Sequence, residues 1–131
     1  MKKAIILDTN ILIDHFMRRY TRPRKKQLVK DAEHWAKELI RVQATNAIVT
    51  PVYVEVICGI QDEHEARLRR AFLDQFHRVD EHLIPPQDWQ NAIRIAGRVS
   101  ATSRDFGDCL IRAIADRLGY EVRTNDKDFP T

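Results

Sequence analysis

Short apolar runs in this chain alternate with longer segments in which apolar residues recur every three or four positions. The runs at 4–7 and 47–49 are wholly apolar and partly β-branched, as interior strands of a parallel sheet are. A short edge strand is predicted at 78–80 and a last strand at 120–124. Helices are predicted directly after residue 8 and at 28–42, 52–58, 61–76, 88–100 and 108–118. Thr50 is the predicted cap of the helix at 52–58, and the predicted inward residues of the helix at 88–100 include Trp89 and Ile93. This alternation predicts an α/β fold, a short parallel sheet with helices on both faces.

The composition is that of one globular domain spanning residues 1–131. Hydrophobic residues make up 44% of the chain and charged residues 31%, and the net charge is +3, which suits a polyanionic partner without identifying one. Cys58 and Cys109 form no CxxC pair, so we expect buried free thiols in a reducing compartment, the cytoplasm. No stretch approaches membrane-spanning length.

Acidic residues recur where the predicted strands end. Asp8 follows the first strand, Glu55 lies one turn into the helix after the second, and Asp126 follows the last strand. Asp108 begins the helix that leads into the last strand. Because the carboxyl ends of parallel strands meet at one edge, we expect these four carboxylates to share a pocket.

Each acid also has a plainer interpretation. Asp105 and Asp108 suit the cap or first turn of a helix, and acids after a strand, such as Asp126 and Asp128, are common turn formers. Glu55 is the only charge in an apolar helix, and its side chain could simply face solvent. Two members of the cluster therefore stay open: Asp105 could take the place of Asp108, and Asp128 that of Asp126.

A cluster of carboxylates indicates a bound divalent cation. Two anions about 4 Å apart repel by roughly 4 kcal/mol at an effective dielectric of 20, so protons or a metal must neutralise them. Oxygen ligands without Cys or His favour Mg²⁺ or Mn²⁺. The chemistry that suits such a site is metal-assisted phosphodiester hydrolysis.

The densest basic run extends from Arg18 to Lys26 and contains Tyr20 and Pro23. The run suits contacts to nucleic-acid phosphates, with Tyr20 available to stack on a base. A solvated connector is an equally good interpretation. The candidate RNA-binding residues are Arg22, Arg24, Lys25 and Lys26.

Four motifs, taken in order, resemble those of PIN-domain ribonucleases, and the chain length resembles the VapC-type toxins of toxin–antitoxin pairs. The motifs are Asp8-Thr9-Asn10, Val54-Glu55-Val56, Gly107-Asp108-Cys109-Leu110-Ile111 and Thr124-Asn125-Asp126-Lys127-Asp128-Phe129. The resemblance implies a Rossmann-like three-layer fold and Mg²⁺- or Mn²⁺-dependent endoribonuclease activity. It also implies frequent homodimers and inhibition by a cognate antitoxin protein.

The same resemblance implies roles for individual residues. Asp8, Glu55 and Asp108 match the acids that hold metal, and Asp126 matches a fourth, more variable acid. Thr9, Asn10 and Thr124 would orient carboxylates, metal waters or phosphate. The sequence stops at Thr131, where the family commonly adds another short strand.

Other functions are weighed against this one. A catalytically inert PIN-fold module that binds RNA or protein is the main alternative, and the full set of acids argues against it. A phosphotransfer protein with Asp8 as nucleophile fits less well, because Asn10 stands where dehalogenase-type phosphatases want an acid. The sequence leaves open which RNA is cut, whether DNA is, and how many metal ions bind. It also leaves open whether the faces around Trp35 and Phe72 are core or dimer contacts.

Overall fold

Four parallel strands form the sheet of the computed structural model, which describes residues 3–20, 27–98 and 106–130. The strands are β1 (Ala4–Leu7), β2 (Ala47–Ile48), β3 (His77–Arg78) and β4 (Tyr120–Arg123), in the spatial order β3-β2-β1-β4. Ile6 aligns with Ala47 on one side of β1 and with Val122 on the other. The wholly apolar first strand is therefore central, and the predicted parallel α/β fold is confirmed.

The described residues contain six helices: α1 (Thr9–Arg19), α2 (Val29–Gln43), α3 (Thr50–Ile57), α4 (Glu63–Leu73), α5 (Pro86–Ala96) and α6 (Phe106–Leu118). One group consists of α1, α2 and α4, and another of α5 and α6, while α3 contacts members of both. This grouping gives the three layers of an α/β sandwich. None of the described helices is long and apolar enough to cross a membrane.

Aromatic rings fill the core between the sheet and the first group of helices. Phe16 meets Trp35 and Phe72 edge to face, each with ring centroids 5.6 Å apart. Phe72 is fully buried and Trp35 nearly so. The faces around Trp35 and Phe72 are therefore core, which the sequence alone left undecided.

Helix α5 is turned differently from the prediction. Trp89 and Ile93 were expected to face inward, but they are 44% and 72% exposed. The buried face instead carries Asp88, Ala92 and Ile95. The reason is an ion pair, because both oxygens of the fully buried Asp88 carboxylate accept the single N–H of Arg117 Nε, at 2.8 and 3.0 Å. This carboxylate raises the pKa of Arg117.

The start of α3 also departs from the prediction. Thr50 was expected to cap the helix, but Val49 occupies the cap position and Thr50 is the first helical residue. The capping acceptor is Asp80, a buried residue just after β3. Its carboxylate accepts from the Thr50 amide at 3.0 and 3.1 Å and from the Thr50 hydroxyl at 2.8 Å. The helix that carries Glu55 is thus anchored from the neighbouring strand.

The two cysteines are both free but differ in environment. Cys109 lies inside α6 and is buried, as predicted. Cys58 is exposed, against the prediction, because α3 ends at Ile57 and Cys58 is already its C-terminal cap residue.

Candidate active site at the sheet edge

Asp8 lies at the carboxyl end of the central strand and is only 3% exposed. Its backbone N–H donates to the carbonyl of Arg123 at 2.9 Å, which extends the pairing of β1 with β4 by one bond. One carboxylate oxygen accepts from the Thr9 amide at 2.8 Å, and the other accepts from the Thr124 hydroxyl at 2.7 Å. Both ends of this carboxylate are thus oriented by neutral donors from two elements.

Glu55 reaches the same edge from α3. Its Oε1 accepts from the Thr9 hydroxyl at 2.7 Å, and the residue is half-buried. Thr9 therefore bonds both acids, with its amide on Asp8 and its hydroxyl on Glu55. The structure brings together two carboxylates that are far apart in sequence, through one threonine at the start of α1.

Thr124 links the end of β4 to the start of α1. Its hydroxyl donates to Asp8 and accepts from the side-chain amide of Asn10 at 3.2 Å and from the backbone N–H of Asp126 at 3.0 Å. In turn, Asn10 Oδ1 accepts from the backbone N–H of Asn125 at 3.2 Å. A hydroxyl has one proton and two acceptor sites, so these contacts use its full capacity.

Asp126 and Asp128 differ in their surroundings. The half-buried Asp126 is bonded to Thr124 through its amide, whereas Asp128 is exposed. Asp126 Oδ1 accepts from the backbone N–H of Asp128 at 2.8 Å, a local turn of the kind that the sequence offered as the plainer interpretation. Asp126 is thus the nearer of the two to the Asp8 and Thr124 contact.

Asp108 lies in the first turn of α6 and is half-buried. Helix α6 packs against α3 and β4, the elements that carry or precede the other acids. Asp105 lies outside the described residues, so its interpretation as a cap or as a neighbouring acid stays a prediction.

The acids do not form a closed cage. Within 3–20, 27–98 and 106–130, no three acidic, histidine or cysteine side chains are close enough to one another to hold a metal ion as they stand. The residues present nevertheless fit a Mg²⁺ or Mn²⁺ ion, because the donors are carboxylate and hydroxyl oxygens and Mg²⁺ needs only one or two protein carboxylates beside waters.

The basic run is only partly described. Arg22, Arg24, Lys25 and Lys26 lie outside the described residues. Tyr20, expected to be available for a base, stacks on Phe16 with centroids 5.4 Å apart and donates to Asp62 at 3.3 Å. Its ring is thus already engaged on the core side.

Two polar contacts that hold the helices of the site were not foreseen. Asp80 anchors the helix of Glu55, and the Asp88–Arg117 pair joins the first turn of α5 to the last turn of α6, the helix of Asp108. Asp80 had a signal in the sequence, since it ends the strand predicted at 78–80 and so lies at the same edge of the sheet. Arg117 had none, because its partner lies 29 positions away.

This geometry defines an α/β protein with an acidic edge to its parallel sheet. The buried Asp8 ends the central strand there, and Thr9 joins it to Glu55. The chain belongs to the PIN domain family, whose model matches residues 5–131. PIN domains are typically nucleases that use divalent metal ions, so the family indicates a nucleic-acid substrate.

Proposed function

We propose that this protein is a Mg²⁺- or Mn²⁺-dependent endoribonuclease that hydrolyses RNA phosphodiester bonds. The observation that carries the proposal is the Thr9 bridge, which holds the carboxylates of Asp8 and Glu55 at one edge of the sheet. Neighbouring carboxylates repel one another, and a divalent cation bound between them offsets that repulsion. Family membership supports the nuclease class.

In this proposal Asp8, Glu55 and Asp108 hold the metal, and Asp126 supports it. When bound, the metal supplies Lewis-acid activation of water and stabilises charge on the leaving oxygen. The chain's own contribution is positioning, since Thr9 and Thr124 fix the carboxylates and Asn10 fixes Thr124. Such supporting hydrogen bonds lower the cost of ordering the ligands when the site is filled.

The direct test is cleavage of a total RNA pool by the purified protein with Mg²⁺, with Mn²⁺ and with chelator. We expect cutting with either metal and none with chelator, and the ends of the fragments identify the RNA. An otherwise equal pool of single-stranded DNA tests the sugar preference. A folded protein that binds RNA without cutting it under any condition would instead support an inert RNA-binding module.

Replacing Thr124 with valine is expected to lower the cleavage rate by about 10- to 100-fold, the usual effect of losing a group that orients a metal ligand. The exchange removes the donor to Asp8 and the acceptor of the Asn10 and Asp126 bonds, while the volume stays similar. Thr124→Ser keeps the hydroxyl and is the matched control. Equal rates for the two variants at limiting as well as saturating Mg²⁺ would remove Thr124 from the positioning role.

Replacing Arg22, Arg24, Lys25 and Lys26 together by glutamine is expected to weaken RNA binding and to flatten its dependence on salt. Each phosphate contact contributes about 0.7 to the slope of log affinity against log salt for single strands. Binding is measured between about 50 and 200 mM salt in the presence of chelator, so that no RNA is cut. An unchanged slope would identify the run as a solvated connector.

We further propose that the protein is the toxin of a type II toxin–antitoxin pair, acting as a cytoplasmic homodimer that a cognate antitoxin inhibits. The size of the chain and the order of its motifs support this role. Growth arrest on expression of the wild type, absent with Asp8→Asn and relieved by a co-expressed antitoxin candidate, is the expected result. Sedimentation of the purified chain tests the dimer.

A further inference from the structure

A cavity of about 470 Å³ opens beside Glu55, between α3, α5 and α6. Its walls are mostly apolar, and among the described residues that line it Glu55 alone is charged. Apolar lining comes from Val54, Ile84, Trp89, Phe106 and Leu110. We call this cavity the aromatic pocket, because two aromatic rings form its outer wall.

The rings of Trp89 and Phe106 lie within 12° of parallel, with centroids 6.2 Å apart. They are exposed to 44% and 71%, which is unusual for side chains of this size. Exposed apolar surface at a concave site marks a place of interaction, with a ligand or with another protein surface. Their flat faces can stack on a planar ligand, as the ring of Tyr20 stacks on Phe16 in the core.

We propose that the aromatic pocket receives a nucleobase of single-stranded RNA, from the nucleotide next to the phosphate held at Asp8 and Glu55. This inference rests on the proposed function. Glu55 borders both the acidic edge and the aromatic pocket. Its carboxylate accepts from Thr9 at the edge, and Glu55 also lines the pocket. A strand whose phosphate lies at the acids thus has an apolar wall within reach of the adjacent base.

The pocket offers apolar surface to the flat face of a base but few hydrogen-bonding groups to the edges of that base. Thr50 also lines it, but its hydroxyl proton is donated to Asp80. With so few polar groups, recognition depends on stacking area, which tolerates any base and favours the larger purines. A base inside a duplex is already stacked on both faces, so the pocket selects single-stranded segments.

The test uses tryptophan emission of the full chain carrying Asp8→Asn, titrated in chelator with short RNA homopolymers. The chain has two tryptophans, and the buried Trp35 provides a constant background against which Trp89 reports. We expect quenching by oligoadenylate, weaker quenching by oligouridylate, and none by an abasic ribose-phosphate oligomer of equal length. Trp89→Leu is expected to weaken oligoadenylate binding by about 5- to 100-fold, as loss of one stacked base does, and Trp89→Phe to keep most of it.

Ile93→Ala is the matched control, because Ile93 is exposed on the same helix but does not line the pocket. We expect unchanged RNA affinity in that variant. The inference is overturned if no RNA quenches Trp89, if the abasic oligomer binds as well as oligoadenylate, or if Trp89→Leu binds normally. One further outcome overturns the inference: Trp89 becomes shielded as protein concentration alone rises, and both Trp89→Leu and Ile93→Ala shift the sedimenting species toward monomer. The face of α5 that carries Trp89 is then a contact between copies of this chain.

This titration separates the pocket from the nuclease proposal. Quenching in chelator needs neither metal nor cleavage, so it persists if the chain proves to be an inert RNA-binding module. Conversely, metal-dependent cutting by a protein whose Trp89 never responds to RNA leaves the nuclease proposal standing and removes the pocket.

Discussion

Replacing Asp8 with asparagine is expected to abolish RNA cleavage, by on the order of 100-fold or more, without unfolding the protein. Asparagine has nearly the same shape, and its carbonyl oxygen can still accept from the Thr9 amide. On the other side its amide meets the Thr124 hydroxyl, whose two acceptor sites are taken by Asn10 and Asp126, so the variant loses one hydrogen bond at this point. What the exchange removes is the negative charge at the end of the central strand. The initial rate at saturating Mg²⁺ and the thermal unfolding midpoint are the two quantities to measure.

The same variant makes a second measurement informative. Because a negative charge is lost beside a polyanion, RNA affinity in chelator is expected to stay equal or to increase. A loss of rate with retained affinity then locates the defect in catalysis. Asp116→Asn is the matched control, since Asp116 is an exposed acid in the last turns of α6 that pairs with Arg112 at 3.1 Å. A rate within about tenfold of wild type for Asp8→Asn at limiting as well as saturating Mg²⁺ would exclude Asp8 from the metal ligands.

The first strand illustrates why so much of the fold was predictable. Residues 4–7 are apolar without interruption, which suits a strand covered on both faces, and the structure places β1 between β2 and β4. The order of the helices follows from periodic apolar positions, and the end of α6 follows from Gly119, where φ is +80°. The predicted bounds of other helices are less exact, since α4 spans Glu63–Leu73 rather than 61–76 and α5 spans Pro86–Ala96 rather than 88–100. Parallel topology then sends Asp8 and Thr124 to one edge, and the 2.7 Å bond between them follows from that register.

Predictions failed where distant polar partners outweighed local preference. Thr50 has the chemistry of a helix cap, yet the side chain that accepts hydrogen bonds at the start of α3 is that of Asp80, 30 positions later. On α5, apolar periodicity favoured Trp89 as the inward residue, whereas Asp88 turns inward to meet Arg117. No local sequence pattern predicts an ion pair between two helices. The same misassignment concealed the exposed ring of Trp89, and with it the aromatic pocket.

The Thr9 bridge leads to the other large expected effect, that of Glu55→Gln. Glutamine keeps the oxygen that accepts from the Thr9 hydroxyl at 2.7 Å, so α3 and α1 stay joined at this point. The charge is lost at a place where we propose a metal ligand. We expect cleavage to fall by on the order of 100-fold at low Mg²⁺, with the Mg²⁺ concentration for half-maximal rate raised by at least about tenfold.

The metal dependence decides what Glu55 does. A variant whose rate recovers toward wild type as Mg²⁺ or Mn²⁺ is raised has lost metal affinity alone, which is the effect of removing one ligand from a site that Asp8 still holds. Glu121→Gln is the matched control, because Glu121 is an exposed acid on β4 that does not follow the strand end. If Glu55→Gln needs no more metal than Glu121→Gln, Glu55 serves only to anchor α3 to Thr9 and lies outside the metal site.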